Sequence, residues 1–376
     1  MNKETKLTKN ESQLLLRTPQ EIVAHLDQYI VGQDEAKKTL ACACYCHLHS
    51  CATIESIVEP VWPDNHTLIA GPSGTGKSEM IRVLCSLLKI PNYQIDCTSL
   101  TPNGYKGTNI SYILNDLEEK FVLDDDITPP CIVIWDEVDK LWDDGSEAGK
   151  YRRMTQSDTL KVFEGAKVSE RLDLSRILHV ACGSFVGMDE ILHPKRPPTI
   201  GFESALFQDN HSGPVSSTHI EAKHFIEFGL IPELVGRFSR FAATERHDLA
   251  DMKDIMLKSK ISFLWRKIDQ YKRHGTKLVF LDDAVEELAK IALNHPSGAR
   301  GLRQLISHAL APWDFQLSEL LTSGILEIRY DRLSIQDGTK AQVVMVPPSA
   351  AARKPMPKDG TIQREGSVDD GDIFIF

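Results

Sequence analysis

The run Gly71-Pro72-Ser73-Gly74-Thr75-Gly76-Lys77-Ser78 has the residue types and spacing that can hold a polyphosphate, G-x-x-x-x-G-K-[ST]. Glycines let successive backbone N–H groups turn toward phosphate oxygens, and the helix start that follows adds positive partial charge. Lys77 brings a full charge to the β- and γ-phosphates, and Ser78 offers a hydroxyl to Mg²⁺. Further along, the apolar run Cys131-Ile132-Val133-Ile134-Trp135 ends in Asp136-Glu137, which delivers two carboxylates at the carboxyl end of a strand. Beside a phosphate loop, Asp136 suits Mg²⁺ through its water shell, and Glu137 suits the orientation of the water that attacks the γ-phosphate. ATP with Mg²⁺ is the expected pair of ligands.

These groups can act together only if strands and helices bring them to one edge. Residues 67–70 read as a strand directly before the loop, and 78–88 as a helix directly after it. The runs 93–97, 131–135 and 177–183 have the length and apolarity of buried strands and alternate with helical stretches such as 111–121. That alternation predicts an α/β fold, a parallel sheet covered by helices, as in P-loop NTPases. After His247 the texture turns helical over 252–271, 282–294 and 299–311, with short strand-like pieces at 277–280 and 325–330. The expected organisation is a flexible segment 1–18, an αβα nucleotide-binding domain 19–246, a smaller, mostly helical domain 247–337 and a disordered tail 338–376.

A chain of 376 residues exceeds one compact core, so two or three domains are expected. Its 41% hydrophobic and 26% charged residues exclude a wholly disordered or fibrous protein. No run reaches the length of a membrane span, and the polar start lacks the apolar core of a secretory signal, so a cytoplasmic protein without membrane contact is expected. With 43 basic against 53 acidic residues, the net charge of −10 opposes broad nucleic-acid binding. Cys42, Cys44, Cys46 and Cys51 lie close to His47 and His49, but in a helical stretch residues two apart point to different sides. No Cys-x-x-Cys pair occurs, so no zinc site is expected. Cys85, Cys97, Cys131 and Cys182 read as reduced core thiols.

An ordered set of motifs goes further. The phosphate loop, Gly104-Tyr105-Lys106-Gly107, Asp136-Glu137-Val138-Asp139-Lys140, Ile200-Gly201-Phe202, the segment from Gly229 to Arg237 and Gly298-Ala299-Arg300-Gly301-Leu302-Arg303 follow one another in family order. Over about residues 21–332 the chain resembles the ClpX family of AAA+ unfoldases. The resemblance implies a homohexameric ring that hydrolyses ATP to unfold tagged or unfolded substrate proteins and thread them into a ClpP-like peptidase, with no protease activity of its own. It makes Arg237 the arginine finger that reaches a neighbour's γ-phosphate, Arg300 the second sensor, and Ile30 and Val31 part of the adenine pocket. Tyr105, with Lys106 where the family usually has an apolar residue, becomes the pore grip on substrate. Ile200, Gly201 and Phe202 become the docking tripeptide for the peptidase.

Lys150, Tyr151, Arg152 and Arg153 fall loosely where a second pore loop would lie, and Cys182-Gly183-Ser184 occupy the place of a first sensor, with Ser184 the group to hydrogen-bond near the attacking water. The family's zinc-binding N-terminal domain has no counterpart before Thr18. The apolar end Ile373-Phe374-Ile375-Phe376 reads as a second docking anchor. Two other functions remain open at this stage, a remodelling chaperone that works without a peptidase and an ATP-gated regulatory scaffold.

Overall fold

The computed structural model describes residues 17–54, 65–102, 105, 107–122, 128–163, 169, 171–193, 220–295, 297–320, 325–336 and 341–345. The chain forms two compact units, one up to Arg246 and one from His247.

In the first unit five strands, β1 (Thr67–Ala70), β2 (Asn92–Asp96), β3 (Cys131–Asp136), β4 (Ile177–Gly183) and β5 (Arg240–Ala243), form a parallel sheet in the order β2-β3-β4-β1-β5. Because side chains alternate along a strand, the near-continuous apolar runs of β1, β3 and β4 feed two cores, one on each face. Ile69, Ile132, Ile134, Leu178 and Val180 face the helices Pro19–Leu26, Asp34–Ile54 and Lys77–Leu88 through Ile22, Leu26, Leu40, Met80, Ile81 and Leu84. Leu68, Val133, Trp135 and Ala181 face the opposite layer, which contributes Ile113 and Leu117 from the helix Ile110–Phe121 and Phe163 from Glu147–Phe163. This is the predicted α/β architecture.

Two helices show how local sequence chemistry sets the layer that carries the site. The helix Pro19–Leu26 opens on a reciprocal cap, Thr18 Oγ1 accepting from Glu21 N at 3.3 Å while Thr18 N donates to the Glu21 carboxylate at 2.7 Å. The helix Lys77–Leu88 has no side-chain cap, because Gly76 stands at its N-cap with φ +92° and leaves the first-turn N–H groups facing the loop.

The second unit packs helices Leu249–Leu257, Phe263–Arg273, Asp282–Leu293 and Ala299–Phe315 on a three-stranded sheet, β6 (Lys277–Phe280), β7 (Ile325–Tyr330) and β8 (Gln342–Met345). β6 and β7 are parallel, and β7 and β8 antiparallel.

Several expectations need correction. The single helix expected over 252–271 is two, because Ser262 starts the second by accepting from Trp265 N at 3.3 Å while its hydroxyl donates to Met256 O at 2.6 Å. The helix expected to stop before Pro312 runs on to Phe315. β5 was hidden by its polar start, Arg240, and β8 lies in the segment read as tail. Lys150, Tyr151, Arg152 and Arg153 stand on the helix Glu147–Phe163, with Arg152 paired to Asp144 at 3.2 Å and Arg153 to Asp143 at 3.7 Å, and form no loop.

Candidate active site

The phosphate loop leaves β1 at Ala70 and enters the helix Lys77–Leu88. Two positions require glycine, one for a close approach and one for its backbone conformation. Gly71 has φ +149°, and a Cβ there would stand 2.1 Å from Thr244 Oγ1. At Gly76 a Cβ would lie 3.8 Å from Ile30 Cγ2, on a φ of +92° that L residues rarely adopt. The loop is held from beneath. Gly71 N donates to Gly183 O at 3.2 Å, Thr75 Oγ1 donates to Pro72 O at 2.9 Å, and the Thr75 and Thr244 hydroxyls meet at 2.7 Å. Lys77 is buried, and its ammonium donates to Gly71 O at 2.5 Å and Pro72 O at 2.8 Å, folded back over the loop.

Ser78 and Asp136 meet at this loop. The Ser78 hydroxyl lies 3.1 Å from Asp136 Oδ2 and 3.3 Å from Oδ1. Asp136 also accepts from Gln94 Nε2 at 2.9 Å, from the Cys182 thiol at 3.3 Å and from Glu137 N at 3.1 Å. A hydroxyl and a carboxylate meeting at a phosphate loop are the hard oxygen donors that suit Mg²⁺, which keeps most of its ligands as water and phosphate oxygens. Burial, and then the Asp136 carboxylate, push the Cys182 thiol up to about 12, so it stays a protonated donor.

Glu137 follows with a left-handed backbone, φ +57° and ψ +37°. Such a conformation in a non-glycine residue costs about 1–3 kcal/mol. It turns the chain sharply at the strand end, leaving Glu137 exposed while Val138 and Asp139 are buried. The Ser184 hydroxyl donates to Asp139 Oδ2 at 2.9 Å, and Ser184 N donates to Oδ1 of the same carboxylate at 3.0 Å.

Ile30 is buried against the loop and Val31 is half-buried beside it. The segment is pinned by Gln33, whose side-chain amide exchanges two hydrogen bonds with the Glu245 backbone, 2.9 Å to the carbonyl and 2.8 Å from the N–H.

Arg237 is exposed and precedes β5, at the amino edge of the sheet. The phosphate loop follows β1 at the carboxyl edge, and the paired residues Thr67↔Arg240 to Ala70↔Ala243 put roughly 10 Å of strand between the two ends. The fold therefore separates Arg237 from the phosphate loop of its own chain. Arg300 is exposed in the first turn of the helix Ala299–Phe315, in the second unit.

Tyr105 is half-exposed and packs its ring edge-on against Tyr151, centroids 5.3 Å apart. Its loop is closed at the base, where Thr101 N donates to Thr108 O at 2.9 Å. Gly104, Lys106, the tripeptide Ile200-Gly201-Phe202 and the C-terminal Ile373-Phe374-Ile375-Phe376 lie outside the described residues.

Residues 67–194 match the family model of the ATPase family associated with various cellular activities (AAA), and residues 249–333 match that of the C-terminal, D2-small domain of ClpB protein. The ATP-dependent Clp protease ATP-binding subunit ClpX of Borrelia duttonii (strain Ly) is 30% identical over 324 residues, covering 80% of this chain and 75% of that protein. ClpX 2 of Wolinella succinogenes is 30% identical over 328 residues, covering 80% and 78%. The chain belongs to the ClpX family of AAA+ ATPases.

This ClpX-family site contains groups that sequence reasoning missed. Cys182 was read as a reduced core thiol within the first-sensor segment, without its contact to Asp136, yet it lies in register with Asp136. Gln94 and Thr244 also reach the loop or its carboxylate. The available signal was the strand pattern, since a residue at the end of β4 must stand beside the end of β3 once the two pair. Among the described residues, no group of three or more His, Cys, Asp or Glu side chains is arranged to hold a metal ion, and no helix is long and apolar enough to cross a membrane.

Proposed function

We propose that the chain is an ATP-driven protein unfoldase that works as a homohexameric ring and passes substrate polypeptide to a ClpP-like peptidase. The observation that carries this reading is the disposition of Arg237, at the sheet edge opposite the phosphate loop of its own chain. An arginine finger placed there serves only a neighbour, so hydrolysis depends on the ring.

Lys77 and the loop N–H groups hold the β- and γ-phosphates of ATP, with Ile30 and Val31 against the adenine. Ser78 and Asp136 hold Mg²⁺, which supplies neutralisation of charge on the transferring phosphoryl group. Glu137, on its exposed turn, orients the attacking water and accepts its proton. Arg237 of each subunit approaches the phosphates bound by the next, and Arg300, the second sensor by resemblance, reads nucleotide state. Tyr105 grips extended polypeptide by its bulk, on a loop whose flanking glycines let it move. The curated relatives are named as Clp protease subunits, which supports Ile200-Gly201-Phe202 as the peptidase dock, its weak contacts adding by multivalency.

The test is one assay, in which purified chain, ATP, Mg²⁺ and a folded tagged reporter are incubated with and without ClpP. Loss of reporter fold in both arms and degradation only with ClpP support the proposal. Unfolding in both arms without degradation points to a chaperone without a peptidase, and ATP binding with neither outcome points to a regulatory scaffold.

A further inference from the structure

Asp136 receives more hydrogen bonds than the phosphate loop alone supplies. Cys182 on β4 and Gln94 on β2 approach it from the two strands that flank β3. The register explains why. Asp96, Asp136 and Cys182 are directly paired across the three strands, and Gln94, two residues before Asp96, points to the same face. The Gln94 amide is itself oriented, because Arg82 Nη2 donates to its Oε1 at 3.1 Å and so turns the NH₂ toward Asp136 Oδ2 at 2.9 Å. Arg82 is backed by Glu79, 3.5 Å from its other terminal nitrogen. On the opposite side the Cys182 thiol donates to Asp136 Oδ1 and lies 3.9 Å from the Ser78 hydroxyl.

We propose that Gln94 and Cys182 are positioning residues that clamp the Asp136 carboxylate from both neighbouring strands, fixing its rotation for the divalent cation that accompanies the nucleotide. The proposal rests on the nucleotide-site reading above. The terminal torsion of an aspartate is broad, so the side chain does not select one orientation unaided. Ser78 and the Glu137 N–H would still hold Asp136 if the clamp were lost, so the expected effect is weakened cation binding with the nucleotide still bound. Outer partners of this kind typically change metal affinity about 10- to 100-fold, and the lower end applies where phosphates share the cation.

The test uses the full chain with ADP and Mn²⁺, following bound Mn²⁺ by electron paramagnetic resonance. Gln94→Met keeps side-chain length on an exposed position and removes the amide, Cys182→Ala removes the donor, and Cys182→Ser restores one. Expected are Mn²⁺ dissociation constants raised about tenfold in Gln94→Met and Cys182→Ala, with Cys182→Ser near wild type. ADP affinity in EDTA and the circular dichroism spectrum stay unchanged. Wild-type Mn²⁺ affinity in Gln94→Met or Cys182→Ala overturns the clamp, as does a Cys182→Ser variant as impaired as Cys182→Ala. Gln94→Met keeps the test decisive if the buried Cys182 variants fail to fold. Wild-type protein that takes up no Mn²⁺ with ADP overturns the nucleotide-site reading itself, and the clamp with it.

Discussion

The Ser78 hydroxyl donates to the Asp136 carboxylate at 3.1 Å, across 58 residues of chain. The first opens a helix and the second closes a strand, and they meet because that helix packs on the sheet face to which Ile132, Ile134 and Asp136 all point. Phosphate loop and acidic strand end thus become one site, and each of its parts can be tested.

Glu137→Gln keeps the shape of the exposed turn and removes the proposed base. ATP binding should persist while steady-state turnover falls about 10²-fold or more. Phosphate release measured alongside fluorescent nucleotide binding checks this, and undiminished release removes Glu137 from the role.

Gly71→Ala places a methyl group 2.1 Å from Thr244 Oγ1 and 2.5 Å from the Thr244 carbonyl oxygen. Because backbone must shift, the melting temperature should drop and ATP affinity should fall at least about tenfold, by analogy with other losses of preorganised geometry. A variant that binds ATP like the wild type would show that the close approach is not needed.

Arg237→Ala should bind ATP normally and lose hydrolysis by about 10³-fold, the usual scale for an arginine finger. Mixing it with Glu137→Gln subunits should recover part of the activity, since each supplies what the other lacks. Mixtures no more active than their components would contradict active sites shared between subunits.

Tyr105→Ala should retain ATPase activity and lose unfolding of a folded reporter. The ring has half its surface exposed and one aromatic neighbour, Tyr151, so its removal should leave unfolding stability within about 0.5 kcal/mol of wild type. Preserved unfolding would dismiss the grip.

Stability should fall as pH drops below 6.5. His47, His66 and His179 are buried, and burial is the main cause that lowers all three, His47 to about 4 and His179 to about 3, with the neighbouring His179 and His47 adding to the effect at His66. The Nδ1 atoms of His66 and His179 already accept hydrogen bonds, from His179 N at 3.2 Å and from Trp135 Nε1 at 3.1 Å. The unfolded chain therefore binds more protons below pH 6.5, and each imidazole removes up to roughly 1.4 kcal/mol per pH unit until its folded value is reached. Urea midpoints at pH 7.5 and 5.5 test this, and equal midpoints would refute it.

Much of the site was legible because its chemistry is written in short, contiguous spacings. The loop from Gly71 to Ser78 and the pair Asp136-Glu137 each follow a strand whose apolar run announces it. The contacts of Gln94 and Cys182 with Asp136 were not legible, since a glutamine in a polar strand and a cysteine among apolar residues carry no sign of that partner until β2, β3 and β4 are set side by side. The Ser184–Asp139 pair was not legible for the same reason, because the two residues stand 45 apart in the chain.

Hydrophobic periodicity and the glycine spacing of the loop sufficed to determine an α/β nucleotide-binding chain followed by a helix-rich unit, since both depend on neighbours within a few residues. Strand order and register were decided only in three dimensions. They bring Gln94 and Cys182 to the Asp136 carboxylate and carry Arg237 to the far edge of the sheet, because pairing between distant segments depends on how whole faces are buried, which no local spacing encodes.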